Sequence, residues 1–183
     1  MAITYVSESH VGATSISSLV VAAPASIQNG DILVAFAAVY KYLAVPEDIN
    51  SVPVDINLPS GFTEIDVNDT TYTHQTVGWK RASSESGDYT FSCTSGSEGV
   101  AGIVVLRGCL ASGSPVDVYS DTAYTTNNTT VRAASVTTTI ANTMLVAVGY
   151  ALRNTSFSPP AGMSEAFDHS DAANLTASAA YVT

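Results

Sequence analysis

The sequence predicts an all-β fold, an antiparallel two-sheet sandwich of jelly-roll-like type with an internal pseudo-repeat, and three observations lead there. Short runs rich in Val, Ile, Thr and Tyr recur along the 183 residues with period-two alternation, divided by clusters of Gly, Pro, Asn and Asp. No segment keeps a helical apolar period for three turns. The second half of the chain weakly repeats the first. Asp31-Ile32-Leu33-Val34-Ala35-Phe36-Ala37-Ala38-Val39 has its counterpart in Thr143-Met144-Leu145-Val146-Ala147-Val148-Gly149-Tyr150-Ala151, at an offset of 112. Pro59-Ser60-Gly61-Phe62-Thr63-Glu64 matches Pro160-Ala161-Gly162-Met163-Ser164-Glu165, at an offset of 101. Thr76-Val77-Gly78-Trp79-Lys80 aligns with Ser178-Ala179-Ala180-Tyr181-Val182.

In chain order the candidate strands are 2–8, 18–23, 31–39, 62–67, 72–81, 88–93, 100–107, 116–119, 130–139, 143–151, 163–168 and 174–182. Asn29-Gly30-Asp31 turns the chain into 31–39. That run is apolar at nearly every position, as is 143–151, so both are expected to be central strands buried on two faces. Pro59-Ser60-Gly61 and Pro159-Pro160-Ala161-Gly162 introduce 62–67 and 163–168. Ser86-Gly87-Asp88 leads into 88–93, and Ser95-Gly96-Ser97 reads as the tip of a hairpin joining it to 100–107. The best short-helix candidate is Pro46-Glu47-Asp48-Ile49, where Pro and acids suit a first turn.

The chain is expected to be one domain, 1–183, with a first half-repeat at about 18–110 and a shortened second at about 130–183. After Trp79-Lys80-Arg81 the first copy adds 88–107, whereas the second stops at Thr183. Strand 174–182 is therefore expected to be an unpaired edge. Either residues beyond Thr183 complete it or a neighbouring subunit does. A β-barrel or an immunoglobulin-like sandwich is the alternative fold. The immunoglobulin pattern of a Trp between two cysteines fails, because Trp79 precedes both Cys93 and Cys109.

Charged residues make up 12% of the chain and hydrophobic residues 46%. The polar surface must come from uncharged groups, and 23 Ser and 21 Thr supply them. The net charge is −10, with six basic residues. Phosphate backbones need Lys and Arg to displace counterions, so direct nucleic-acid binding and docking on anionic membranes are both disfavoured. No apolar run approaches the roughly 20 residues of a membrane span, and the start, Met1-Ala2-Ile3-Thr4-Tyr5, has no basic or apolar leader segment. A protein made in a cytoplasm is expected. In the hairpin reading Cys93 lies opposite residue 101 and Cys109 opposite residue 85, too far apart for a disulfide, so two free, mostly buried thiols are expected.

No catalytic, metal or cofactor residue stands out. His10 and His74 lie in strand-like context without clustered acids, and Asp168-His169-Ser170-Asp171 reads as a solvated loop. Asp66, Asn68 and Asp69 form an acidic stretch whose counterpart is Asp168 and Asp171, but neither has the spacing of a calcium loop. Tyrosines such as Tyr72, Tyr119 and Tyr124 suit packing more readily than a sugar-stacking platform. Asn68, Asn127, Asn128, Asn154 and Asn174 satisfy Asn-x-Ser/Thr through Ser/Thr abundance.

The most informative irregularity is the insertion at about 40–58, which the second copy lacks. It carries Tyr40, Tyr42, Leu43, Val45, Ile49, Val52, Val54 and Ile56, many apolar side chains for a loop, and these are the candidate assembly contacts. The competing reading is that the insertion folds back over one end of its own sandwich.

Gly30-Asp31-Ile32-Leu33-Val34-Ala35, Pro59-Ser60-Gly61-Phe62-Thr63, Trp79-Lys80-Arg81-Ala82 and Asp88-Tyr89-Thr90-Phe91-Ser92 together resemble the duplicated β-sandwich modules of tailed-phage virion proteins. Phe62 stands where those modules carry a corner Trp, and Asn142-Thr143 replaces the Gly-Asp in the second copy. The resemblance spans about 18–183 and transfers no catalytic residues. It implies a structural virion protein, a capsid decoration or cement protein, with the major capsid protein or other virion proteins as partners. It also implies a homo-oligomer, a trimer by preference, made in the host cytoplasm and resident in the virion. The alternative is a tail or fibre module binding host-surface carbohydrate or a receptor. A glycosidase would need two facing carboxylates, and no spacing points to them.

Overall fold

The computed structural model describes residues 2–40, 55–69, 73–122, 134–171 and 174–182. Among them there are nine strands and no helix: β1 (Thr4–Val21), β2 (Ile32–Tyr40), β3 (Ile56–Asn57), β4 (Thr63–Asp69), β5 (Thr73–Arg81), β6 (Tyr89–Arg107), β7 (Leu145–Ala151), β8 (Ser164–Ser170) and β9 (Thr176–Val182). Six form one antiparallel sheet in the order β1-β6-β2-β5-β4, with β3 also paired to β6. The other three form a second sheet, β7-β9-β8. The all-β antiparallel sandwich is as expected.

The repeat survives in the register of the strands. The order β2-β5-β4 in the first sheet is reproduced by β7-β9-β8 in the second. Val34 faces Trp79 as Val146 faces Tyr181. The outer pair has an irregularity between Glu64 and Asp66, and its copy has one between Glu165 and Phe167, at the same offset of 101. The corners match as well. The Phe62 N–H donates to the Pro59 carbonyl at 3.2 Å and the Met163 N–H to the Pro160 carbonyl at 3.0 Å. Gly61 and Gly162 take the positive φ, 85° and 84°, that the third residue of such a turn demands. Gly30, at φ 92°, has its counterpart in Asn142, at φ 58°. Asn is among the few residues with a side chain that visit this region readily.

Two expected hairpin arms, 88–93 and 100–107, are instead one continuous strand, β6, of 19 residues. It pairs with β1 on both sides of residues 93–96, which have no partner in β1, and β1 likewise merges the expected strands 2–8 and 18–23. The Ser-Gly cluster marks a bend rather than a turn. The register shifts twice here: β1 has the extra residue between Ala13 and Ile16, where Ser15 takes φ 54°, and β6 has the extra residues between Ser92 and Ser97. Bulges bend a strand and leave it paired. Gly99 lies at the bend because a Cβ there would fall 2.9 Å from both Ile16 and Val39. Beyond the bend, β3 replaces β2 as the neighbour of β6, pairing Ile56 with Cys93. The expected strand 116–119 is irregular, as are 134–139. These stretches are tied by side chains, with Asp117 accepting the Thr139 N–H at 2.8 Å and the Ser120 hydroxyl donating to the Ala134 carbonyl. Residues 130–133 and the short-helix candidate 46–49 lie outside the described residues.

The first sheet is apolar on both faces. Leu33, Ala35, Ala37 and Val39 of β2 join Ala101, Ile103 and Val105 of β6 in one core, closed by Leu19, Val21, Ile56 and Phe91 from beyond the bend. The alternate residues Ile32, Phe36, Ala38, Val100, Val104 and Leu106 form a second core with Phe167, Leu175, Ala177 and Ala179 of the second sheet. This is the period-two rule applied to strands covered on both sides. Close approach of the two sheets needs glycine. A Cβ at Gly102 would lie 2.5 Å from the Phe167 ring, and one at Gly12 would lie 2.9 Å from His169.

The expectation for the end of the chain is overturned. Strand 174–182 is no edge: β9 is central, paired with β7 on one side and β8 on the other. The expectation that 143–151 is central fails in the same way. β7 is an edge, and among the described residues no strand lies on its other side. The physical reason is topological. In the first copy β6 covers the open side of β2, and nothing described takes that place beside β7.

Candidate functional site

Of the candidate assembly contacts, Tyr42, Leu43, Val45, Ile49, Val52 and Val54 lie outside the described residues. Tyr40 ends β2, half-buried between its register partners Thr73 and Glu98. Ile56 is 2% exposed and belongs to the chain's own core, so its side chain is not on an outer surface. Its strand, β3, pairs with β6 of the first sheet.

The histidines have acidic neighbours in the fold. His10 Nδ1 is 2.7 Å from Glu8, which lies two residues away on the same face of β1. Its ring stacks on Phe167 at 5.3 Å and meets His169 at 4.5 Å. His169 is not in a solvated loop but in β8, half-buried. Burial and the neighbouring His10 hold its imidazole below the ordinary value, against the opposing pull of Asp168, Asp171 and Glu8. His74 is buried and its Nδ1 meets the carboxylate of Asp69, its register partner across β4 and β5. Asp55 is a further 3.6 Å contact of His74. The acidic stretch Asp66-Val67-Asn68-Asp69 is strand rather than loop. Burial and Asp121 push the Asp66 carboxyl up. Among the described residues no group of three or more His, Cys, Asp or Glu side chains is placed to hold a metal ion.

Most described tyrosines are used internally. Tyr5 stacks on Tyr181 with centroids 4.5 Å apart, Tyr150 shares a 2.9 Å hydrogen bond with Thr73, and the Tyr89 hydroxyl donates to Glu85. Tyr119 is 60% exposed. Both thiols are free and half-buried, and burial pushes both up.

Among the described residues, the feature with no internal explanation is the β7 edge. Its counterpart residues in β2, Leu33 and Ala35 to Val39, are all buried. In β7 every residue keeps some exposure. Val146, Val148 and Tyr150 pack on the core between the sheets, so Leu145, Ala147, Gly149 and Ala151 point away from it. Leu145 is 44% exposed, and Leu152, just past the strand, is 45% exposed. The strand Leu-Val-Ala-Val-Gly-Tyr-Ala contains no charge and no proline, the devices that ordinarily blunt an edge. An apolar strand with one unpaired side can accept backbone hydrogen bonds from another chain.

Comparison of the chain with protein-family models, curated proteins and solved structures finds no match.

Proposed function

We propose that this chain is a structural virion protein that binds neighbouring subunits in the manner of a phage capsid decoration or cement protein. The reading assigns it no catalytic role. The observation that carries it is the β7 edge, which no described strand covers, whereas its counterpart β2 is paired on both sides. A unit built to be covered, then left open, suits a protein that is completed by assembly. The sequence resemblance to tailed-phage modules supplies the setting, with the major capsid protein as partner and a homo-oligomer as the assembling species. The charge of −10 suits a protein that stays soluble before assembly and off packaged DNA.

The mechanism is burial of apolar surface between subunits. At about 25 cal/mol per Å² of apolar area, an interface of about 1,600 Å² gives a large gross gain, offset by ordering and desolvation. Repetition over a symmetric shell multiplies whatever net gain remains. The test is to mix purified protein with virus heads stripped of their accessory proteins and follow binding and heat resistance. Saturable binding that raises the temperature of DNA release supports the reading. A protein that ignores heads and binds host cells overturns it in favour of a tail module.

A further inference from the structure

We propose that β7 pairs with β7 of a second copy of this chain, edge to edge and antiparallel, across a twofold axis near Val148. The first copy of the repeat shows what such an edge accepts. β6 lies antiparallel to β2 and presents, opposite Leu33 to Val39, the run Val105, Val104, Ile103, Gly102, Ala101, Val100 and Gly99. All seven are small or β-branched and none is charged. β7 is itself built of the same kinds of residue, with Val146, Val148, Ala147, Ala151 and Gly149 among its seven. A second β7 therefore offers to the first much of what β6 offers to β2.

Charge selects this edge over the others. The remaining described edge strands longer than two residues are β1, β4 and β8. Glu8 lies in β1, Glu64, Asp66 and Asp69 in β4, and Glu165 and Asp168 in β8. Self-pairing through β4 or β8 brings carboxylates of two copies together on a chain of net charge −10, and through β1 it does so where the axis lies near Glu8. β7 brings none. The antiparallel direction is what a twofold axis imposes, because an isologous contact pairs residue i with j and j with i. With the axis near Val148, Leu145 of one copy meets Ala151 of the other, and the two second sheets become one six-stranded sheet. A twofold seam differs from the trimer that the sequence resemblance implies.

The pairing does not depend on where the assembly is used, so its test is separate from head binding. Sedimentation equilibrium of the full chain is expected to show a dimer. Ala147→Glu and Ala147→Lys put like charges near each other across the axis and each weakens dimerisation about tenfold or more, with the far-UV spectrum unchanged. An equimolar mixture of the two variants recovers the dimer. A wild-type monomer at all concentrations overturns the proposal. So do variants that dimerise as wild type does, or a mixture that stays monomeric.

Discussion

Leu33 and Leu145 hold the same place in two copies of one three-stranded unit, yet Leu33 is fully buried and Leu145 is 44% exposed. Their strands pair identically with the strand on one side. The difference lies on the other side, where β6 and the layer beyond its bend cover Leu33 and no described strand covers Leu145. Removing an apolar side chain of this size from water is worth roughly 1.5–3 kcal/mol. That gain is realised in the first copy and not in the second, where no described residue lies over Leu145 as Leu19 and Phe91 lie over the core around Leu33.

The contact between the sheets depends on Gly102. Phe167 occupies the space a side chain would need, with ring atoms 2.5 and 2.6 Å from the Cβ position. Gly102→Ala is expected to cost about 1–3 kcal/mol in urea unfolding, the range for overpacking a filled core. Combining it with Phe167→Leu should cost less than the sum of the two single changes, because the two residues share one space. Strict additivity would show that the sheets do not meet there.

Acidification should loosen the same contact. His169 titrates below its ordinary value of 6.5, first through burial and then through His10. The folded chain therefore binds fewer protons at this site than the unfolded chain does. Stability is whole above pH 6.5 and falls as pH drops through that value toward the folded one. Urea midpoints measured from pH 8 to pH 5 should decline, and His169→Gln should flatten the decline. An equal slope in the variant would place the effect elsewhere.

Asp31 ties the start of β2 to the end of β6. Its carboxylate takes two hydrogen bonds from Arg107, at 2.9 and 2.8 Å, and one from the Gln28 N–H. Burial alone would raise this carboxyl, but the bonds outweigh it and hold the group below its ordinary value. Asp31→Asn should cost about 1.5 kcal/mol, the lower end for bonds to a charged group, because Arg107 is 34% exposed and screened by solvent. The second copy has Thr143 at this position, so Thr143→Ala should change stability little in the same assay.

The turns before β2 and β7 need a left-handed residue, and each copy solves this differently. A Cβ at Gly30 would meet nothing within 4 Å, so the penalty of Gly30→Ala is backbone strain alone, about 1–2 kcal/mol. Asn142→Gly should be neutral or slightly stabilising and Asn142→Val destabilising, as read by thermal unfolding. A stabilising Asn142→Val would contradict the turn geometry.

Much of this fold was legible in the sequence because side-chain pattern records burial. The repeat, the paired Pro-x-Gly corners and the alignment of 76–80 with 178–182 all reappear as matched register. Four things were not legible. Ser95-Gly96-Ser97 has the composition of a turn, and a bent strand uses the same residues for the same freedom of backbone. The apolar run of β7 looks like that of β2, since sequence records which residues tolerate burial and not which neighbours are present. Strand order is also silent: placing β9 between β7 and β8 moved the open edge from 174–182 to 145–151. The pairing of His74 with Asp69 was hidden for a related reason, because it becomes visible only once the β4–β5 register is known.

Amide hydrogen exchange across β2, β7 and β9, recorded as a function of protein concentration, tests most directly whether the β7 edge is open and receptive. Strong protection of β2 and β9 at every concentration is expected, together with outward-facing β7 amides that exchange fast in dilute protein and slow as concentration rises. β7 amides as protected as those of β2 in dilute, monomeric protein would contradict the account.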